Sequence, residues 1–580
     1  MVDEKSYILG INGVYHESAA CLLEDGQIIA AVEEERFTRV KHTKPARVDN
    51  PDVLPVNAIA FCLRSANITW NDINFIGYSF EPKKRIEQES PSLPETPTTI
   101  KGLKEGGWGT KAGEDLFLNK LKDVPHKLSQ FARSNIVDKF FWLPHHLCHA
   151  GSAYFVSPYS EAAVLVVDGL GEIDTTILYR GKDNILSEIV SIAYPNSLGF
   201  LWEKMSVLMG FTQYDATKIM GLAAYGKEEQ KYADRFKAFV KVGEQGFTIN
   251  PTILQDNDLT DDCSELENLF GFRKRNPSEK LEQHHVDTAF ALQKLTDEIL
   301  LNLANYLYKK TQSPNLCLAG GVILNCVSNR IIQEKSPFQN LYIQPAAHDA
   351  GTAIGAAYCL WNQTLRKPRS YIMEVPYVGP DYSSEEIQRV LDRNDLQYSQ
   401  VNNIEEQTAK LIAEGNVIGW FQGKMEIGPR ALGNRSLLAD PRNPNMREIM
   451  NQKVKHREDF RPFAPSVLAE CARDWFKIPG DSLALGFMLF ACDAREDKKS
   501  SIPAVLHVDG TSRIQIVNQT LNPKYHKLIQ AFYQIAGVPL VLNTSFNDTE
   551  PIVCSPEDAV KTFLKTKIDY LAIGDFLVGK

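Results

Sequence analysis

His145 and His149 stand four residues apart in the string Pro144-His145-His146-Leu147-Cys148-His149, the spacing that places two imidazoles on one face of a helix. A short way downstream, Val164-Leu165-Val166-Val167 runs into Asp168-Gly169-Leu170-Gly171, an apolar strand pattern ending in a carboxylate and a glycine-rich turn. Brought together, two imidazoles and a carboxylate make a mononuclear metal site. An HxxxH pair alone is more often a solvated or core-capping feature, so the site depends on the elements that would gather its ligands.

A second group of residues is suited to anions. The loop QGKMEIGPRALGNRS from Gln422 carries Arg430 and Arg435, and KVKHREDFRPFAP from Lys453 carries Lys455, Arg457 and Arg461. Guanidinium groups beside flexible glycines offer a fork to phosphate oxygens, which implies a phosphorylated small molecule as substrate. Arg457 has the alternative of pairing locally with Glu458 or Asp459. Arg513 lies beside Thr511 and Ser512, and the apolar run 539–542 ends in Asn543, Thr544, Ser545 and Asn547, side chains placed where sites collect at strand ends.

The elements that must position these groups begin with residues 6–36, read as strand, turn, strand, an Asp25-Gly26 hairpin and strand. The pattern returns over residues 165–190. Duplicated strand-turn-strand units are the mark of the actin, sugar-kinase and heat-shock ATPase fold, whose turns offer backbone N–H groups to phosphates; the alternative is two unrelated hairpins. A buried strand at 315–319 leads into Gly320-Gly321 and Asn325, a turn that admits close approach of a flat or anionic group. Asp349 stands near a helix start, where it either caps the helix or points into the cleft. The polar, proline-bearing join at 361–380 is the expected main boundary: residues 1–365 form one domain, 366–380 a linker and 381–580 a second domain. Residues 86–125 read as a flap over an acceptor pocket, and 254–284 as irregular.

The chain of 580 residues is 43% hydrophobic and 23% charged with a net charge of -9. This is a globular composition, and the charge gives no general attraction to nucleic acid or an anionic membrane. No leader and no spanning apolar run is evident, so the protein is expected to be cytoplasmic and soluble. Ten cysteines without CxxC pairs fit reduced, buried thiols.

Several strings now combine. Residues 9–20 with Glu33-Glu34-Glu35-Arg36-Phe37, HHLCHAGSAY, VVDGLGE, KIMGLAAYG, GGVILN, AAHDAG, MEIGPRALGNRS and FRPFAPS resemble the O-carbamoyltransferases of antibiotic and nodulation-factor biosynthesis, the opening strings being similar to the nebramycin type. The resemblance runs over nearly the whole chain. It implies an α/β protein: an N-terminal duplicated actin-like ATPase fold, similar to the metal-binding subunit of tRNA threonylcarbamoyladenosine synthesis, and a C-terminal α/β domain resembling threonylcarbamoyl-AMP synthase. It implies His145, His149, Asp168 and Asp349 as metal ligands, with iron as the family's metal and zinc or manganese allowed by the donor set. His16 falls where the family has a histidine near the acceptor and would be the general base. Gly320, Gly321 and Asn325 would hold the nucleotide, with Lys218 near them. Lys455, Arg461, Ser545 and Asn547 match the Lys, Arg, Ser-x-Asn set of the synthases, and Arg430, Arg435 and Arg513 are further phosphate binders. Cys148 stands where alanine is usual, and its thiol is a further candidate for ligation or oxidation.

The expectation is therefore an ATP-dependent O-carbamoyltransferase. Its C-terminal domain would convert carbamoyl phosphate and Mg²⁺-ATP to carbamoyl-adenylate, and its N-terminal domain would pass the carbamoyl group to a hydroxylated small molecule. A homodimer is also expected. The alternatives are a small-molecule kinase of the sugar-kinase fold and a non-catalytic nucleotide-binding regulator with a structural metal.

Overall fold

Tyr7–Asn12 and Glu161–Val167 are almost wholly buried, and each is the middle strand of a five-stranded sheet in the computed structural model. Burial on both faces explains why they read as continuous apolar runs instead of alternating ones. Residues 5–87, 106–254 and 262–580 are described.

In the first sheet Tyr7–Asn12 is followed on one side by Ala19–Glu24 and Gln27–Glu33, each antiparallel to its neighbour. On the other side come Ile73–Tyr78 and Phe140–Trp142, each parallel. In the second sheet Glu161–Val167 has Asp174–Lys182 and Ile185–Ala193 on its antiparallel side, and Asn315–Ala319 and Asn340–Ile343 on its parallel side. Strand order and sense agree in both sheets. The repeat expected from the two strand-turn-strand units is thus a duplicated actin-like, sugar-kinase-like fold.

One helix leaves the fifth strand of each sheet: His145–Tyr154 in the first half and Gly351–Tyr358 in the second. They meet at Gly355, where an added Cβ would lie 1.6 Å from the Cys148 carbonyl oxygen. Only a residue without a side chain lets the two backbones come this close.

The sheets and these helices belong to one compact unit, Met1–Glu34 with His42–Ile372; Glu35–Lys41 and Met373–Lys580 form the other. In the second unit an eight-stranded mixed sheet runs in the order Tyr398–Gln400, Phe576–Gly579, Tyr570–Ile573, Ile418–Phe421, Arg435–Ala439, Leu540–Ser545, Ala464–Leu468 and Gln515–Val517. The segment 35–41 is held here by Arg36, which donates to the Gly428 carbonyl (2.8 Å), and by Arg39, which donates to the carbonyls of Pro551 (2.5 Å) and Ile552 (2.7 Å).

Of the stretch read as a flap, residues 88–105 lie outside the described residues. Its later part is the helix Lys111–Lys122, capped by Thr110, with Phe117 stacked on Tyr15 at 6.0 Å. Of 254–284, residues 255–261 lie outside the described residues, and the remainder contains the helix Ser264–Phe270. All ten cysteines are free. Among the described residues no helix is long and apolar enough to cross a membrane.

Candidate functional site

The helix His145–Tyr154 sets His145 and His149 one turn apart, with their Nε2 atoms 3.1 Å from each other. Asp168 leaves the end of Glu161–Val167, and its Oδ2 lies 3.5 Å from both Nε2 atoms. Asp349 comes from the segment before Gly351–Tyr358, with Oδ1 3.6 Å from His145 Nε2 and 3.5 Å from His149 Nε2. Its side chain faces the imidazoles and does not cap the helix, which resolves the alternative left by the sequence. One donor atom from each of the four residues falls within 4.8 Å of the others, and all four residues are buried.

The surroundings orient these ligands. His145 Nδ1 donates to the Ser79 carbonyl (3.1 Å), which leaves the Nε2 lone pair directed at the shared centre. The Gly321 N–H donates to Asp168 Oδ1 (2.7 Å), turning the other carboxylate oxygen inward. Glu172 accepts from the backbone N–H groups of Glu81 and His145, both at 2.8 Å, and so fixes the helix start.

Burial alone would lower the imidazole pKa values, but Asp349 and Asp168 outweigh it at His145, and Asp168 leads the opposing causes at His149; both are raised. Burial likewise opposes ionisation of Asp168 and Asp349, and the imidazoles hold both carboxyls below their usual range. The pocket is built around positive charge at its centre. Two neutral-capable nitrogens and two carboxylate oxygens converging on one point fit a divalent first-row metal ion. Cys148 is not part of this set. Its sulfur turns toward the Leu143 carbonyl (4.0 Å), and burial and Cys359 push its thiol well up.

A second cluster borders the centre. His16 Nδ1 lies 3.9 Å from Asp349 Oδ2. Glu17 bonds His42 through Oε1 and lies 3.7 Å from His348 through Oε2. Burial would raise the Glu17 carboxyl, but His348, His42 and His16 prevail and hold it at about 2. The His42 ring stacks on Tyr214 (4.7 Å between centroids), which meets His16 edge-on at 5.7 Å. Glu17, His42 and Thr43 all have left-handed backbone (φ 52°, 60° and 63°), a cost that side-chain-bearing residues accept where the surroundings demand it. Glu203, on the helix Leu198–Leu208, is pushed up to about 8 by burial, then by Asp168 and Asp349.

Gly320 takes φ 100° and approaches the Val167 backbone so closely that a Cβ would lie 2.2 Å from its carbonyl oxygen. Gly321 is engaged with Asp168 as above. Asn325 caps the helix Cys326–Lys335 by accepting from the N–H groups of Val327 and Ser328. Lys218 lies 3.0 Å from Asp215 and over the Phe211 ring.

In the second unit Lys455, Ser545 and Asn547 meet. Lys455 Nζ donates to the carbonyls of Ser545 (2.5 Å) and Asn547 (2.9 Å), to Ser545 Oγ (3.1 Å) and to Asn547 Oδ1 (2.7 Å). Burial, then Arg457, Arg461 and Lys41, depress its pKa well below the ordinary value. Arg457 stacks on Phe463 at 4.3 Å and is lowered to about 9 by burial, Arg461 and Arg513. So many cations with so little compensation make a pocket poised for an anion. Arg461 lies 3.7 Å from Glu458, and Arg430 is half-buried on the 422–436 loop.

Arg435 is placed differently. Fully buried and 3.7 Å above the Phe421 ring, it donates to the carbonyls of Gln422, Gly423, Asn434 and Pro380. It ties the loop's backbone together, as does Glu426, which accepts from the N–H groups of Leu432, Asn434 and Arg435. Arg457, for which the sequence left open local pairing with Glu458 or Asp459, stands with Lys455 and Arg461, whereas Glu17, His42, Tyr214 and Glu203 were not picked out by the sequence. The left-handed segment and the interleaved basic residues are their only local signals.

A duplicated actin-like fold that gathers two imidazoles and two carboxylates, in a chain whose other unit concentrates buried cations, defines a two-part enzyme. Residues 7–358 match the family profile described as "Carbamoyltransferase N-terminus" and residues 409–580 that described as "Carbamoyltransferase C-terminus". An uncharacterised protein of Synechocystis sp. is 38% identical over 99% of this chain and 97% of its own length. Nodulation protein NolNO of Sinorhizobium fredii is 35% identical over 98% of this chain and 80% of its own. Nodulation protein NolO of Bradyrhizobium diazoefficiens is 38% identical over 75% of this chain and 78% of its own. The chain belongs to the carbamoyltransferase family, and it is a carbamoyl-transferring enzyme.

Proposed function

We propose that the protein is an ATP-dependent O-carbamoyltransferase whose two units divide the work. The second unit converts carbamoyl phosphate, water and Mg²⁺-ATP to carbamoyl-adenylate, releasing phosphate and pyrophosphate, and the first passes the carbamoyl group to a hydroxyl of a small-molecule acceptor, releasing AMP. The observation that carries this reading is the coexistence of two unlike constellations: the His145, His149, Asp168 and Asp349 set in one unit and the depressed Lys455–Arg457 cluster in the other.

In the second unit Lys455, Arg457 and Arg461 bind and orient the phosphate oxygens, with Arg430 and Arg513 as further contacts. Ser545 and Asn547 keep Lys455 in place, since its ammonium already donates to both. In the first unit His16 takes the proton of the acceptor hydroxyl. An imidazole changes protonation state near neutral pH, and one beside the metal ligands is within reach of that oxygen. The Gly320–Gly321 turn, without side chains and with its N–H groups spent on Ala347 and Asp168, gives the adenylate room for close approach. His145, His149, Asp168 and Asp349 would hold a divalent ion, iron by family resemblance, which supplies Lewis-acid polarisation of the carbamoyl carbonyl.

Incubation with carbamoyl phosphate, ATP, Mg²⁺ and a panel of hydroxylated acceptors tests the reading. AMP and pyrophosphate are the expected products; release of ADP alone overturns the adenylate route.

A further inference from the structure

Asn12, Ser79 and Thr352, all fully buried, form a chain of hydrogen bonds beside the metal-binding residues. Asn12 ends the strand Tyr7–Asn12 and pairs with Ala19 across the first sheet, so residues 13–18 arch away between them. Its amide is used completely. Nδ2 donates to the carbonyls of His16 (3.3 Å) and Glu17 (3.0 Å), and Oδ1 accepts from Ser79 Oγ (2.9 Å). Only this orientation of the amide meets two carbonyls with a donor and a hydroxyl with an acceptor. Glu17 has left-handed backbone, and Asn12 supplies the donor that its buried carbonyl needs.

Ser79 joins this loop to the metal ligands. Its carbonyl accepts from His145 Nδ1 (3.1 Å), and its Oγ lies 3.0 Å from Thr352 Oγ1. Thr352 in turn donates to the Asp349 carbonyl (2.6 Å). The gap between His16 Nδ1 and Asp349 Oδ2, 3.9 Å, is therefore bracketed by one serine, through Asn12 on the histidine side and through Thr352 on the aspartate side. His16 Nδ1 is buried and makes no hydrogen bond with any described residue. The ring rests edge-on against Tyr214, and its backbone, held by Asn12, decides where it stands.

We infer that Asn12 is a positioning residue for carbamoyl transfer: through Ser79 it holds His16 in fixed register with His145 and Asp349. This rests on the reading of His16 as the base that takes the acceptor's proton. The amide does no chemistry itself, so its effect passes wholly through His16.

Asn12→Leu keeps the branched shape and removes the donor; Ser79→Ala removes the hydroxyl and leaves the carbonyl that orients His145. Hydrogen exchange of the full chain, read by mass spectrometry, tests the geometry without any acceptor. Peptides spanning residues 13–19 should exchange about tenfold faster in Asn12→Leu, the scale of one lost buried hydrogen bond. They should also exchange faster in Ser79→Ala, while peptides spanning Glu161–Val167 stay as in the wild type. Transfer is then followed in single turnover with whichever hydroxylated acceptor of the panel the wild type carbamoylates fastest. Asn12→Leu should lower its rate at least about tenfold, with ATP-pyrophosphate exchange unchanged. In a His16→Ala background the same substitution should change transfer less than about twofold, because Asn12 has no other route to the reaction. Losses that multiply in the double variant, or unchanged hydrogen exchange over residues 13–19, overturn the inference. Failure of the wild type to carbamoylate any acceptor counts against the proposed function and leaves the exchange comparison to decide what holds His16.

Discussion

His149 and Asp349 face each other across 3.5 Å from matching places in the duplicated fold. Each lies on the segment that leaves the fifth strand of its sheet, Phe140–Trp142 for the histidine and Asn340–Ile343 for the aspartate. The centre is therefore assembled from both halves, and neither half holds it alone.

Removal of one ligand should separate the two chemical steps. His149→Ala leaves three donors for the metal. Metal content after dialysis should fall, and carbamoyl transfer should drop by roughly 100-fold or more, the scale seen when one strong electrostatic contact to a reacting group is lost. ATP-pyrophosphate exchange driven by carbamoyl phosphate should persist, because Lys455 and its neighbours are untouched. Loss of both activities in a folded variant would contradict the division of labour.

Cys148 lies between the two histidines in sequence, yet its sulfur is not among the four converging donor atoms and turns toward the Leu143 carbonyl. Cys148→Ala should keep its metal and cost about 1 kcal/mol of stability for the small cavity left behind. Loss of the metal, read by elemental analysis, would mean that the sulfur is a ligand after all.

The ligand set was legible because each member carries a local signal: helical spacing for His145 and His149, a strand end for Asp168, and a helix start for Asp349. The sequence left open whether Asp349 caps its helix, since both outcomes use the same residue in the same place; in the fold the carboxylate faces His145 and His149. Glu17, His42, Tyr214 and Glu203 were not legible. They lie in four separate stretches, and Glu17, His42 and Tyr214 meet only when the long turn folds through left-handed residues. Arg435 shows the converse. Its glycine-flanked context suggests phosphate, but carbonyls of the loop and of Pro380 surround it, and nothing in the one-dimensional pattern distinguishes a loop that offers its arginine from one that closes on it.

Glu17 links the cluster to acid stability. Its carboxyl is held at about 2 against an ordinary 4.5, so the folded state binds this proton more weakly than the unfolded state. The resulting stabilisation, on the order of 3 kcal/mol, is present above pH 4.5 and is lost as the pH falls toward 2. Denaturant midpoints measured across that window should fall more steeply for the wild type than for Glu17→Gln. Parallel curves would show that His42 and His348 do not hold the carboxylate.

The buried cations of the second unit make anion binding a stability event. Lys455 is depressed by burial, Arg457 and Arg461, and Arg457 by burial, Arg461 and Arg513, so an anion that neutralises them should stabilise the fold. At a hundredfold excess over its dissociation constant the gain is about 2.7 kcal/mol, readable as a rise in the thermal midpoint with carbamoyl phosphate. Lys455→Met and Arg457→Met should each remove most of that rise, whereas Arg435→Lys should chiefly lower the starting midpoint, because Arg435 is spent on backbone carbonyls of its own loop and of Pro380. A carbamoyl phosphate response that survives in Arg457→Met would exclude that residue from the pocket.

Gly355 offers the strictest test of how the two halves meet. An alanine methyl there would lie 1.6 Å from the Cys148 carbonyl oxygen, and the obstacle is helix backbone that cannot rotate aside. The helices bearing His145 and His149 and following Asp349 must then separate. Gly355→Ala should cost at least about 3 kcal/mol, the upper part of the range for overpacked cores, and should lower metal affinity even though no ligand has changed. Near-wild-type stability with full metal occupancy would mean that the two helices have room the structure does not give them.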